Sequence, residues 1–132
     1  YSGILCRPES NGMLNLDTNI VLEGLSGRLT KREIELLENE GLAISDIVLW
    51  EISKLVQLNR IQLDLESTAF RKLLAQLTVY PITLEIARQS AALDFRSDPA
   101  DEIIAATSIV ERIPLLTRDR KILKSRLVPL AR

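Results

Sequence analysis

The chain has 132 residues, 46% hydrophobic and only 4% aromatic, with a formal net charge of −1 and a pI of about 5.6. That size and apolar content suit one domain with a core of Leu, Ile, Val and Ala, and the charge balance excludes a globally basic nucleic-acid binder. With no histidine and a single cysteine, Cys6, Ser-His-Asp and Cys-His chemistry, His-based zinc sites and an internal disulfide are excluded, and unpaired thiol usage points to the cytoplasm.

Residues 1–12 (YSGILCRPESNG) lack periodicity and contain Gly3, Pro8 and Gly12. They read as an irregular N-terminal extension, with the domain occupying 13–132 from Met13 onward. Met13-Leu14-Asn15-Leu16 is a first strand, followed by a helix over about 18–25 that Ser26-Gly27 breaks. Thr30 and Glu33 form a capping box for a helix over about 31–39, which Gly41 closes. Leu42-Ala43-Ile44 is the next strand. Ser45 or Asp46 caps a helix to about Leu58, and Ser67 or Thr68 caps another to about Leu77.

Thr78-Val79-Tyr80-Pro81 is strand-like, and Thr83 caps a helix to Leu93. Asp98-Pro99 opens a helix to about Arg112, with proline at its first position. Residues 113–117 form a strand whose Pro114 suggests an edge, and a short helix over about 120–125 precedes a last strand at Leu127-Val128. Short strands alternating with helices predict an α/β fold in three layers: a mostly parallel central sheet of about five strands with helices on both faces. No apolar run approaches the roughly 20 residues of a membrane span, and no signal-peptide pattern is present.

Four carboxylates stand at or beside element ends in this frame: Asp17, Glu51, Asp101 and Asp119. Ligands of an open α/β sheet gather beyond the carboxyl ends of its strands. Asp17 either caps the following helix or, because Thr18 and Asn19 can also cap it, faces the strand end. Glu51 has Ile47, Val48, Leu55 and Leu58 as helical neighbours, with Lys54 the only polar one. A carboxylate in such a stripe is unfavourable unless paired or metal-bound, the alternative being an exposed Glu51–Lys54 pair.

Asp101 opens its helix as acids ordinarily do near the positive end of the dipole, although its face continues through the small strip Ile104, Ala105 and Ser108. Asp119 caps the terminal helix unless Thr117 does so. Alternatively, the Thr117 hydroxyl holds a metal-bound water.

Jointly the acids carry more weight. Two like charges about 4 Å apart repel by roughly 4 kcal/mol at an effective dielectric of 20, so a cluster of four needs a cation. All-oxygen ligands select Mg²⁺ or Mn²⁺, and such a site suits phosphodiester hydrolysis by a metal-activated water. From Arg112 to Arg132 there are seven Lys/Arg and one acid, Asp119. By itself that run reads as a solvated helix. Beside an acidic site, Arg118, Arg120, Lys121 and Lys124 become a rim that attracts phosphates.

Four stretches together resemble the PIN domain, specifically the small bacterial toxins of the VapC type: Leu14-Asn-Leu-Asp-Thr-Asn-Ile-Val-Leu22, Ala43-Ile-Ser-Asp-Ile-Val-Leu-Trp-Glu-Ile-Ser53, Asp98-Pro-Ala-Asp-Glu-Ile-Ile-Ala-Ala-Thr107 and Pro114-Leu-Leu-Thr-Arg-Asp-Arg120. The resemblance implies that Asp17, Glu51, Asp101 and Asp119 surround Mg²⁺ or Mn²⁺. It makes Asp17 and Asp101 the principal ligands and Thr117 the accompanying hydroxyl.

The resemblance further implies endoribonuclease activity, a homodimer, and inhibition by a cognate antitoxin protein that blocks the site. Glu102 departs from it, standing where many relatives have Arg, and Asp46 and Asp98 are additional acids read as helix caps first. Two other functions compete. One is a catalytically silent PIN-fold binding module working through its dimer or antitoxin surface. The other is a receiver-like or phosphatase-like fold, for which the Asp-x-Asp pair at the first strand is missing. Ile34, Leu37, Leu55, Val56, Leu58, Leu73, Leu74 and Leu77 exceed what a small sheet readily covers, which predicts an apolar partner surface.

Overall fold

The computed structural model describes residues 12–132, so the extension expected over 1–12 lies outside the described residues except for Gly12. The order is β1 (Met13–Leu16), α1 (Thr18–Leu25), α2 (Lys31–Leu37), β2 (Gly41–Ser45), α3 (Asp46–Gln57), α4 (Thr68–Ala75), β3 (Leu77–Tyr80), α5 (Leu84–Ser90), α6 (Pro99–Glu111), β4 (Leu115–Leu116) and α7 (Arg120–Leu123). The strands form one parallel sheet in the order β3-β2-β1-β4, with Leu14 opposite Leu42, Ala43 opposite Thr78 and Leu16 opposite Leu116.

Local chemistry sets most boundaries. Thr30 and Glu33 complete a reciprocal capping box on α2, and Ser45, Ser67 and Thr83 each cap a helix through the side-chain oxygen. Helix α2 stops at Leu37 and the chain reverses through Asn39 at φ 70°. Gly41 does not close that helix but opens β2. A Cβ there would lie 2.6 Å from Met13 Sδ and 3.0 Å from the Gly12 carbonyl, so any larger residue would make the Met13 side chain shift.

The sheet has four strands rather than about five. Leu127-Val128 is not a strand, because Ser125 Oγ accepts both the Leu127 and Val128 N–H groups and folds the segment into a turn. Pro129 has no N–H to add to a ladder. What survives is a single parallel bridge, Leu115 to Leu130, beside β4.

Side chains alternate across the sheet. Leu16, Leu42 and Leu77 line an apolar cavity of about 160 Å³ together with residues of α1, α2 and α4. Asn15 points to the other face, where its Nδ2 donates to the Ile104 carbonyl (3.2 Å) and to Ser108 Oγ (2.9 Å) of α6. Ile104, Ala105 and Ser108 are fully buried, so the small strip predicted on α6 is the surface that lies on the sheet.

The partner surface differs from expectation. Leu77 is buried, and Leu37, Leu73 and Leu74 pack against the core, so half of the eight residues are absorbed internally. Ile34 and Leu58 do remain exposed, but the larger exposed groups also include Trp50, Ile82 and Leu84, the last at 72%. Periodicity could not foresee this, because it marks an apolar face without saying what comes to cover it.

Candidate active site

The chain runs from β1 outward to β2 and β3, then returns to place β4 on the other side of β1. The carboxyl ends of β1 and β4 therefore form the point where the winding reverses, the usual ligand crevice of an open parallel sheet. Asp17 follows β1 directly and is 4% exposed. Its Oδ1 accepts from Thr18 N at 2.8 Å, and its Oδ2 accepts from Thr117 Oγ1 at 2.6 Å, across 100 residues. Asp17 itself is the N-cap of α1, so Thr18 and Asn19 do not replace it there.

Freed from capping, Thr18 Oγ1 donates to Glu51 Oε1 on α3. Lys54 does not pair with Glu51; its Nζ donates to Gln57 Oε1 at 3.0 Å and sits 5.9 Å from the centre of the Trp50 ring. Asp101 lies on the first turn of α6, where its Oδ2 accepts from Ser97 Oγ at 3.0 Å. Asp119 caps α7 by accepting from Lys121 N (2.8 Å) and Ile122 N (3.3 Å), and its own N–H donates to Thr117 Oγ1 at 3.0 Å. The Thr117 hydroxyl is thus engaged on both sides and orients Asp17 and Asp119.

Of the additional acids, Asp98 occupies the N-cap position of α6 without a side-chain cap bond. Asp46 yields the capping of α3 to Ser45 and accepts instead from Ile82 N at 3.4 Å. Glu102 accepts from Ser97 N at 3.0 Å. Sequence reading passed over Thr18 and Ser97 as actors. Their only signal was a hydroxyl next to, or shortly before, a site acid.

The acids act on one another. Burial pushes the Asp101 carboxyl up to about 6, and the charges of Asp17, Glu51 and Asp119 add to the rise. Burial is also the main cause that raises Asp17, with Asp119 contributing, and Glu51, with Asp17 and Asp98 contributing. Hydrogen bonds from Thr117, Thr18 and Ser97 oppose these rises without cancelling them. Among the described residues no lysine or arginine forms an ion pair with any of the four.

The nearest arginine in sequence, Arg118, turns away. Its Nε and Nη2 grip Glu33 at 2.8 and 2.7 Å, Nη1 reaches Glu23 at 3.2 Å, and Nη2 also donates to the Arg28 carbonyl at 3.2 Å. This places Arg118 in a clamp between the β4–α7 loop and the α1–α2 region, so its guanidinium is not free for the RNA contact expected of it. Arg120, Lys121 and Lys124 are exposed or partly exposed and form no ion pair among the described residues.

The clamp carries a prediction. Arg118 holds the Glu33 carboxyl down at about 2 against an ordinary 4.5. A depressed acid contributes stability above its unfolded value and loses it as pH falls toward the folded value. With Arg118 38% exposed, Arg118→Ala is expected to cost about 1–2 kcal/mol at neutral pH. In urea titrations the gap from the parent should close between about pH 4.5 and 2; a gap independent of pH would mean the clamp is not the cause.

Carboxylates and hydroxyls without Cys or His make an all-oxygen donor set, which fits a hard divalent cation. Their mutual repulsion gives such a cation something to relieve. Among the described residues, however, no group of three or more acids is drawn together as a ready-made ligand set.

Comparison with solved structures finds the same fold in several. One is a toxin–antitoxin complex from Klebsiella pneumoniae, at 26% identity over 84% of this chain and 90% of that one, with a TM-score of 0.65. Another is VapBC2 from Rickettsia felis bound to a DNA fragment from its promoter, at 20% identity over 90% and 97% of the two chains, with a TM-score of 0.66. A third is FitAcB from Neisseria gonorrhoeae, at 21% identity over 91% and 97%, with a TM-score of 0.68. Comparison with curated proteins finds no match. Residues 15–126, a span that contains all four acids, match the model described as PIN domain, and the chain belongs to that family.

Proposed function

We propose that this protein is a Mg²⁺- or Mn²⁺-dependent endoribonuclease and the VapC-type toxin of a toxin–antitoxin pair. One observation carries the reading: the charges of Asp17, Glu51 and Asp119 all bear on the Asp101 carboxyl at the start of α6, and no cation of the chain pairs with any of the four among the described residues. Asp17 and Asp101 would hold the ion, with Asp119 and Glu51 completing its surroundings. Magnesium is commonly bound through only one or two carboxylates and keeps several waters, so a crowded direct ligand set is not required.

When bound, the ion supplies Lewis acidity and a more acidic water for attack on phosphorus. The chain's own groups do the positioning. Thr117 fixes Asp17 and Asp119, Thr18 fixes Glu51, and Ser97 fixes Asp101. Cleavage of defined tRNA and mRNA fragments with Mg²⁺, Mn²⁺ or EDTA tests the reading. Cleavage that persists in EDTA, or none with either metal, would remove it and favour a silent binding module.

The toxin assignment draws on the toxin–antitoxin complexes that share this fold. The apolar cavity walled by Leu25, Leu29, Leu37 and Leu73 is a seat for an apolar segment of an antitoxin. Exposed Trp50, Ile82 and Leu84 suit a homodimer interface. In light scattering at micromolar concentration we expect a dimer, and Leu84→Lys should shift it toward monomer with an unchanged circular dichroism spectrum. A monomeric parent protein would count against the interface.

A further inference from the structure

The loop between α5 and α6 and the helix α7 enclose a cleft of about 340 Å³, lined by Asp94, Phe95, Arg96, Lys121, Lys124 and Ser125. We infer that this cleft is a subsite for one nucleotide of single-stranded RNA beside the acidic crevice, with Arg96, Lys121 and Lys124 taking its phosphate and Phe95 stacking on its base. The inference rests on the ribonuclease reading above and adds to it where the strand lies.

Three features converge. The first is charge. Arg96, Lys121 and Lys124 line one cavity, and among the described residues none of them is in an ion pair. The single acid there is already engaged, since Asp94 Oδ1 accepts from Ser125 Oγ at 2.6 Å and Oδ2 from Arg126 N at 2.7 Å. That clasp ties the α5–α6 loop to the end of α7 and holds the two walls of the cleft together.

The second is the aromatic ring. Phe95 is partly buried and packs against the core, yet it also lines the cavity. An aromatic wall with cations around it is how sequence-tolerant single-strand sites hold successive nucleotides. The volume falls in the roughly 300–1,000 Å³ range of small-ligand pockets.

The third is position. Arg96 immediately precedes Ser97, whose hydroxyl holds Asp101, and Lys121 is in the first turn of the helix that Asp119 caps. Both walls of the cleft therefore lead into the acid cluster. A polyanion approaching four carboxylates needs compensating charge close by, and Arg118, spent on Glu33 and Glu23, does not supply it.

The test is binding of a labelled single-stranded RNA 12-mer by fluorescence anisotropy in EDTA, with Asp17→Asn as the background so that neither metal nor cleavage enters. Phe95→Leu, which keeps an apolar side chain at the core, should weaken binding about fivefold or more. Arg96→Gln and Lys124→Gln should each weaken it and flatten the log–log salt dependence by about 0.7. Arg88→Gln, an exposed change on α5, should do neither.

Absence of RNA binding, or binding that none of the cleft variants alters, overturns the subsite while leaving cleavage by the parent protein to decide the ribonuclease reading separately. An equal effect of Arg88→Gln would reduce the cleft to diffuse charge and overturn it too. A DNA 12-mer of the same sequence bound more tightly than RNA would overturn the assignment to RNA.

Discussion

Asp17→Asn is expected to lower kcat/KM for RNA cleavage by about a hundredfold or more, equivalent to about 2.7 kcal/mol of lost transition-state stabilisation. Asp17 is the most buried of the four acids, and both its oxygens are fixed, one by Thr18 N and the other by Thr117 Oγ1. Asparagine preserves shape and can still accept from Thr18 N. It removes the charge, and its amide would face a Thr117 oxygen that already accepts from Asp119 N. Thr117→Val should act through Asp17 and cost less, about tenfold, mainly in kcat. A cleavage assay in Mg²⁺ and Mn²⁺ reads both variants, and Asp17→Asn activity within threefold of the parent would take Asp17 out of the site.

The second large effect is on stability. Millimolar Mg²⁺ or Mn²⁺ should raise the melting temperature, because an ion bound only in the folded state adds about 2.7 kcal/mol at a hundred times its dissociation constant. At about 3–5 °C per kcal/mol for a chain of this size, the shift is roughly 10 °C. Asp101→Asn should blunt it, and in EDTA at neutral pH that variant should melt higher than the parent, since one repelling charge is gone. Asp101 is the cleaner choice here because, among the described residues, its carboxylate accepts only from Ser97 Oγ, whereas that of Asp17 accepts twice.

The pH dependence has a definite sign. Asp101 is raised to about 6 from 3.8 in the folded state, so the fold takes up a proton before the unfolded chain does. In EDTA this site therefore makes the protein more stable as pH falls from about 7 through 6, with the gain complete by about 3.8. The metal-induced shift should shrink over the same interval, because protons compete with the ion for the carboxylate. Scanning calorimetry from pH 7.5 to 5, with metal and with EDTA, checks both slopes. A parent protein whose melting temperature falls with pH in EDTA across that window would contradict the account.

Much of this was legible in the chain itself, for local reasons. The Thr30–Glu33 capping box, the Pro99 helix start and the serine and threonine caps are interactions over one to four residues, so the sequence carries both partners side by side. Helix α1 has the expected bounds, and the strip Ile104, Ala105 and Ser108 faces the sheet because a 3.6-residue period leaves it no other buried side. Alternation of strands and helices determined the parallel α/β architecture. Four acids at element ends were enough to name the candidate site residues.

Only the tertiary structure decided the long-range partnerships. Thr117 reaches Asp17 across 100 residues, Thr18 reaches Glu51 across 33, and Arg118 reaches Glu33 across 85. Nothing local distinguishes a threonine that caps a helix from one that positions an acid, or an arginine that meets phosphate from one that clamps a loop. Hydrogen-bond choice at these positions depends on which distant group arrives within about 3 Å, and that is a property of how the elements pack.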